Sequence, residues 1–409
     1  MTFVTNLECI ECGETFEKEG IHYLCAKCGG NLEVLYDYAA AGEEWHRYEV
    51  KKGNELSIWR YAPLLPVEPI SFGGLNVGWT PLIESERLKE LLGMPYLSLK
   101  DDTQNPTASL KDRATAIALA RSIENKADVI TCASTGNAAS SLSGLGASIG
   151  AKVKIFVPET APKAKVAQML LYGADVFKIK GSYDDAFDLC IKATEKFGWY
   201  SRNSGFNPYL SEGKKTVAFE ICEQLMWNPP DAIVVPVGDG CIISGVHKGL
   251  KDLIEIGVIS EMPRLIAVQA DGANSIVKAF ESGNEIGTAS GKTIADGIAV
   301  SKPRDGVKAL RAVKETNGYA LSVSDEEILE AVRTLTKTSG VFVEPSAAAT
   351  LAGLIKSLGI NVLSKGDRVV LLLTGHGLKA PEAAIGDLKA TIIEPDISNV
   401  EKVLEAEYA

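Results

Sequence analysis

The sequence predicts an α/β protein of two parallel-sheet, three-layer domains preceded by a small zinc-ribbon-like segment. Three observations carry this. From about Tyr96 onward, apolar runs alternate with amphipathic stretches, and such alternation produces parallel sheets with crossover helices. Several runs are almost continuously apolar, as strands buried on both faces are. Two Cys-x-x-Cys pairs stand close together near the start of the chain.

In chain order, residues 1–36 are the ribbon-like segment and 37–95 an irregular connection that packs on the larger domain. The tryptophans Trp45, Trp59 and Trp79 lie in that connection, with prolines Pro63, Pro66 and Pro69. Residues 96–211 form the smaller α/β domain, 212–395 the larger one and 396–409 a tail. With 409 residues the chain is too long for one ordinary core. Strands are expected at 96–100, 128–133, 153–158, 175–180, 232–237, 264–269 and 368–374. Amphipathic helices are expected at 113–125, 183–197 and 325–339.

A formal net charge of −11 argues against a general nucleic-acid binder, which needs a basic footprint. No apolar run reaches the length of a membrane span. The first residues lack the basic and apolar stretches of a signal peptide, so a cytoplasmic protein is expected. The composition, 46% hydrophobic and 23% charged, is that of an ordinary globular chain.

Four of the eight cysteines cluster as Cys9-x-x-Cys12 and Cys25-x-x-Cys28; Cys132, Cys190, Cys222 and Cys241 are scattered. Two such knuckles can present four thiolates tetrahedrally to Zn²⁺. The short segment between them contains Gly20 and a strand-like run at 21–24. It has little core of its own, so a metal would hold it folded. The other reading is a metal-free ribbon packed by hydrophobic contacts. Either way the role is structural, because four thiolates leave no open catalytic position.

Ligands of open parallel sheets bind at the carboxyl ends of strands, and three loops stand there. Ser134-Thr135-Gly136-Asn137 opens a small-residue helix whose free amides suit a carboxylate or phosphate; a plain N-cap turn is the alternative. Gly238-Asp239-Gly240-Cys241-Ile242 also follows an apolar strand, and its glycines let backbone amides close around a phosphate. By itself it reads equally as a tight turn. Thr374-Gly375-His376-Gly377 puts a neutral hydroxyl at a strand tip; His376 reads as a base or, as often between two glycines, as a turn residue, and no catalytic role is assigned to it. Ahead of these, Asn105-Pro106 breaks the chain, Ser109 is an expected N-cap and Lys111 falls in the first helical turn. There the helix dipole disfavours a cation and makes the amine a better nucleophile; an ordinary surface lysine is the alternative.

In this order and spacing, the segments resemble those of the fold-type II pyridoxal-phosphate (PLP) enzymes, the tryptophan synthase β-subunit family, and within it the threonine synthases. Asn105-Pro-Thr-Ala-Ser-Leu-Lys-Asp-Arg113 is similar to that group's lysine segment. Ser134 to Ala139 is similar to its substrate-carboxylate loop, and Thr374 to Lys379 to its C-terminal signature. An N-terminal Cys-x-x-Cys ribbon also occurs in some members. The resemblance implies that Lys111 is the Schiff-base lysine and shuttles the α-proton. It implies that Gly238, Asp239, Gly240, Cys241 and Ile242 wrap the cofactor phosphate. Asn137 would contact the ring hydroxyl, and Thr374 the pyridine nitrogen. Ser134, Thr135 and Gly136 would hold the substrate carboxylate, with Asn203 and Ser204 as further substrate contacts. A hydroxyl at the pyridine nitrogen suits eliminations and replacements better than transamination. The family implies a homodimer and a small amino-acid substrate.

Two stretches depart from the group. Leu210, in Asn207-Pro208-Tyr209-Leu210, stands where a phosphate-binding arginine is expected, and losing a bidentate phosphate partner is not a conservative change. Lys163, Lys165, Asn203 and Ser204 are the candidates to compensate. The loop 238–245 and the run 293–300 look instead like those of serine and threonine dehydratases, in which nearby acidic residues can bind a cation; Asp296 is the candidate here. A β-eliminating ammonia-lyase is therefore the second reading, with a β-replacing synthase similar to cysteate synthase beside it. A non-catalytic PLP-fold binding protein is the third.

Overall fold

Every residue of the run Val369–Leu373 is buried, and the run divides its side chains between two cores. Val369, Leu371 and Leu373 enter one hydrophobic cluster, and Val370 and Leu372 the other. The run Ala232–Pro236 divides in the same way. Successive side chains of a strand point to opposite faces, so a sheet covered on both sides needs apolar residues at both parities.

The computed structural model describes residues 2–51, 53–385 and 388–408. Its strands are β1 Val4–Cys9, β2 Thr15–Glu17, β3 Leu32–Tyr36, β4 Leu82–Ile83, β5 Leu97–Asp101, β6 Val129–Ala133, β7 Lys152–Pro158, β8 Asp175–Ile179, β9 Tyr200–Ser201, β10 Ala232–Pro236, β11 Arg264–Ala270, β12 Tyr319–Val323 and β13 Val369–Leu373. They form three sheets, ordered β2-β1-β3, β12-β11-β10-β13-β5-β4 and β8-β7-β6-β9. The ribbon sheet is antiparallel. The two larger sheets are parallel, apart from the short β4 against β5.

The expected strands all form, and the helices Tyr183–Phe197 and Asp325–Ser339 take the expected bounds. Both start at a serine capping box and end at a left-handed glycine, Gly198 and Gly340, signals that sequence carries. Four expectations change. β5 lies beside β13 in the six-stranded sheet, so the sheets do not divide at residue 96. The connection 37–95 is not irregular throughout: Tyr38–Lys51 is a helix. Its Trp45 packs on Tyr61, Phe219 and Trp227, and this burial supplies what the weak local pattern lacks. The run 21–24 forms only an isolated bridge, Leu24 to Asn31. Ile397–Tyr408, expected as tail, is helical.

The ribbon sits over the segment that leads into the larger domain. Asn31 Nδ2 donates to the Gly205 carbonyl at 3.0 Å, and the Ser201 N–H donates to the Tyr23 hydroxyl at 2.7 Å. Tyr36 donates to Glu212 at 2.6 Å. Among the described residues no helix is long and apolar enough to cross a membrane.

Candidate active site

The lysine segment and the C-terminal signature are joined backbone to backbone. Leu110 N–H donates to the Thr374 carbonyl at 2.9 Å and His376 N–H to the Ala108 carbonyl at 3.1 Å, with a bridge between Ser109 and Gly375. A turn closed by Ala108 N–H on Asn105 O at 2.7 Å carries Ala108 at φ +63°, a left-handed conformation that costs a non-glycine residue about 1–2 kcal/mol. Lys111 is the first residue of the helix Lys111–Glu124. Ser109 is not its N-cap: Leu110 takes that position without a side-chain bond. The pairing with Gly375 draws Ser109 away, and its buried hydroxyl has no protein partner.

Two residues past Lys111, the buried Arg113 fixes the helix start. It donates to Asp102 at 2.7 and 2.8 Å and to Glu220 at 2.5 and 2.8 Å. Lys100 completes the group at 2.6 Å from Glu220. Burial lowers the Lys111 amine to about 8, helped by the neighbouring Lys214 and Arg202 and opposed by Cys241 and Asp239.

Cys241 and Asp239 belong to the second loop. Gly238 is buried, and a Cβ there would meet Ile298 Cα at 2.9 Å. Gly240 has φ +94°, and a Cβ there would meet the Asp305 carbonyl at 2.6 Å. This close approach needs glycine and turns the chain into the helix Cys241–Glu255. Asp239 is held by Arg304 N–H on its carboxylate at 3.2 Å, and its carbonyl accepts from Asp305 N–H at 3.0 Å. Burial pushes the Cys241 thiol up to about 12, so it stays protonated. Ile242 follows in the first turn, half-buried.

Ser134, Thr135 and Gly136 form the half-buried turn after β6, where Gly136 N–H donates to Ser134 Oγ at 3.2 Å. Asn137 starts the helix Asn137–Ser148 and donates to both oxygens of Glu344 at 2.9 and 3.1 Å. Glu344 is buried, its carboxyl raised by burial against the Asn137 bond, and its N–H donates to the Gly375 carbonyl at 3.0 Å. Thr374 is buried at the tip of β13. His376 accepts from Leu378 N–H through Nδ1 at 3.1 Å; it is a turn residue.

The segment after β9 corrects one expectation. Asn203 is buried, its Oδ1 accepting from Ala133 N–H at 2.8 Å and its Nδ2 donating to Ser201 Oγ at 3.1 Å. Its side chain holds the loop and is not free for substrate. Ser204 accepts from Arg202 at 3.1 Å. Leu210 is buried in the cluster that contains Ile117, Leu142 and Ile155. Lys165 is paired with Asp296 at the loops, which satisfies the acid that was the candidate cation ligand.

Sequence reasoning missed Glu344, Arg202 and Lys214. Only the i,i+4 spacing of Leu210 and Lys214 hints at the last; a lone Glu before Pro345 or an Arg at a strand end carries no local signal. An aldehyde cofactor with a phosphate fits the residues present. The lysine has a lowered pKa under the influence of Lys214, Cys241 and Asp239, a glycine turn stands at a long helix N-terminus, and two buried atoms, Ser109 Oγ and Lys214 Nζ, are orphaned. Separately, ligand atoms of Cys9, Cys12, Cys25 and Cys28 all lie within 4.8 Å of one another, a set able to hold one metal ion. All eight cysteines are free thiols.

A family model described as pyridoxal-phosphate-dependent enzyme matches residues 74–375. The chain is 40% identical over 402 residues to a threonine synthase of Methanocaldococcus jannaschii, covering 97% of this chain and 98% of that protein. It is 37% identical over 405 residues to a threonine synthase of Methanosarcina acetivorans, covering 98% of each. Among solved structures, an L-serine ammonia-lyase from the fungus Rhizomucor miehei superposes with a TM-score of 0.66 at 23% identity, covering 76% of this chain and 98% of that one. The processed form of a threonine deaminase from Solanum lycopersicum gives 0.62 at 22%, with coverage of 89% and 88%. The chain therefore belongs to the pyridoxal-phosphate-dependent enzymes and, within them, to the threonine synthases.

Proposed function

We propose that the protein converts O-phospho-L-homoserine and water to L-threonine and phosphate. One observation carries this: identities of 40% and 37% to two threonine synthases run over nearly the whole of both chains. When bound, PLP supplies an electron sink for the carbanions that such a γ-elimination and β-addition of water require. The chain's own residues do the rest. Lys111 holds the cofactor through Nζ, and its lowered pKa near 8 keeps the free amine able to take and return the α-proton near neutral pH. The amides of Gly238, Asp239, Gly240, Cys241 and Ile242 hold the cofactor phosphate at a helix N-terminus. Thr374, buried after β13, would hydrogen-bond the pyridine nitrogen, and Asn137, held by Glu344, would contact the ring hydroxyl. Ser134, Thr135 and Gly136 hold the substrate carboxylate, and Ser204 reaches the substrate beside Arg202.

Zinc on Cys9, Cys12, Cys25 and Cys28 is part of the same proposal, supported by their clustering, as are a homodimer and a cytoplasmic location. The domain reading becomes a ribbon, a smaller body on the four-stranded sheet and a larger body on the six-stranded sheet, into which β4 and β5 are built.

Leu210 favours a second reading, β-elimination from serine or threonine. The PLP-loaded enzyme should therefore be assayed with O-phosphohomoserine, threonine and serine in parallel. Threonine plus inorganic phosphate from the first is the expected result. A 2-oxo acid and ammonia from the others, with no phosphate released, would overturn it.

A further inference from the structure

Among the described residues, buried lysines and arginines are matched with carboxylates, with two exceptions near the cofactor lysine. Lys100, Arg113, Lys215 and Lys248 are all buried in ion pairs with Glu220, Asp102, Glu212 or Asp252. Lys214 and Arg202 are fully buried, yet neither is in an ion pair among the described residues. Among the described residues the Lys214 ammonium has no hydrogen-bond partner. The Arg202 guanidinium meets only neutral oxygens: Thr115 Oγ1 at 3.0 Å, Ser204 Oγ at 3.1 Å and the Lys111 carbonyl at 3.4 Å. Burial lowers the pKa of both, and the charge of Arg202 further lowers that of Lys214. An unpaired buried charge costs several kcal/mol, and both groups act on the Lys111 amine, with Arg202 bonded to the Lys111 carbonyl, so the two together call for an anion.

Position says where that anion sits. Leu210 and Lys214 lie four residues apart on the helix Tyr209–Lys214, hence on one face. Both line a small cavity with Gly205, Cys241, Asp305 and Lys308; Arg202 is outside that lining and approaches it through its bond to Ser204, the residue before Gly205. Asp305 and Asp239 act on Lys214 only from beyond hydrogen-bonding distance, so a phosphate monoester, at about −1.5 to −2 near neutral pH, supplies the direct counter-charge that neither Lys214 nor Arg202 finds in the protein.

We propose that Arg202 and Lys214 together form the receptor for a phosphate monoester and replace the arginine absent at Leu210. Two phosphates meet in this site under the function proposed above, on which the assignment rests: that of the substrate and that of the cofactor. The missing arginine assigns the pair to the substrate.

The test uses PLP-loaded enzyme and inorganic phosphate as the probe, with phosphate binding followed by calorimetry and by the thermal shift of the holoenzyme. Lys214→Gln and Arg202→Gln should each weaken phosphate binding and raise KM for O-phosphohomoserine by about 10- to 100-fold, the range for losing a charge-assisted hydrogen bond. Cofactor release should stay within about threefold of wild type, a change worth well under a tenfold step. Lys214→Arg should retain binding, and Leu210→Arg in the Lys214→Gln background should recover part of it. Faster cofactor release with unchanged phosphate binding would keep the receptor but give it to the cofactor's phosphate. Unchanged phosphate binding, KM and cofactor release in both variants would overturn the proposal. So would a lowered melting temperature as the sole effect, since that marks a structural role. If wild type binds phosphate through this pair yet makes no threonine, the receptor stands and the proposed reaction falls.

Discussion

Replacing Arg113 by methionine tests whether the charge group behind Lys111 holds the active-site helix. Methionine keeps much of the volume and removes the charge, so packing and electrostatics separate. Burial would push the Glu220 carboxyl up; Arg113 and Lys100 override it and bring it from the usual 4.5 to about 2. At about 1.36 kcal/mol per pH unit, that is on the order of 3 kcal/mol of stability. Removing one partner of a buried pair costs about 3–5 kcal/mol by independent reasoning, and here Asp102 loses its bidentate partner too. The sign with pH follows. A carboxyl whose folded pKa is lowered stabilises the protein fully above 4.5, and that contribution is lost as pH falls toward about 2. Without Arg113, burial is opposed only by Lys100, so the folded-state pKa rises and the variant gains from protonation that the wild type does not need. The deficit should be about 3–5 kcal/mol near neutral pH and shrink on acidification toward about pH 4.5. Urea unfolding of both proteins at about pH 7.5 and about pH 4.5, monitored by circular dichroism, measures it. A difference below about 1 kcal/mol, or one equal at both pH values, would refute the reasoning.

Three further outcomes are expected. Lys111→Ala should lose turnover by on the order of 10³-fold or more and lose the cofactor's protein-bound absorbance band, while amine labelling of Lys111 in cofactor-free enzyme should show a midpoint near pH 8; a midpoint above 10 would mean that burial does not act as described. Gly240→Ala forces a Cβ to 2.6 Å from the Asp305 carbonyl at φ +94°, so at least about 1 kcal/mol of strain should accompany a cofactor release rate raised by roughly tenfold, read by dialysis; wild-type release would refute the loop assignment. Purified protein should carry about one zinc per chain, and Cys25→Ser should lower both zinc content and stability, the latter by about 2–4 kcal/mol as the ribbon's bonds to Gly205, Ser201 and Glu212 are lost; full stability in the zinc-free variant would show that the ribbon packs without metal.

Local chemistry alone determined much of this protein. The helices Tyr183–Phe197 and Asp325–Ser339 carry their own caps and periodicity, and runs such as Val369–Leu373 are legible as strands buried on both faces. The lysine segment, the Ser134–Asn137 turn and the glycine loop are contiguous stretches, so they could be read one by one. What only the tertiary structure decided depends on partners far apart in sequence. An apolar run does not say which sheet it joins, so the place of β5 beside β13 was not legible. Nor was the helix Tyr38–Lys51, stabilised by burial of Trp45 against Phe219 and Trp227. Asn203 has the right chemistry for substrate but is consumed by Ala133 and Ser201. Arg202 and Lys214 were missed in the sequence; their burial without a hydrogen-bonded counter-charge exists only once the fold encloses them, because desolvation is a property of the surroundings and not of the residue.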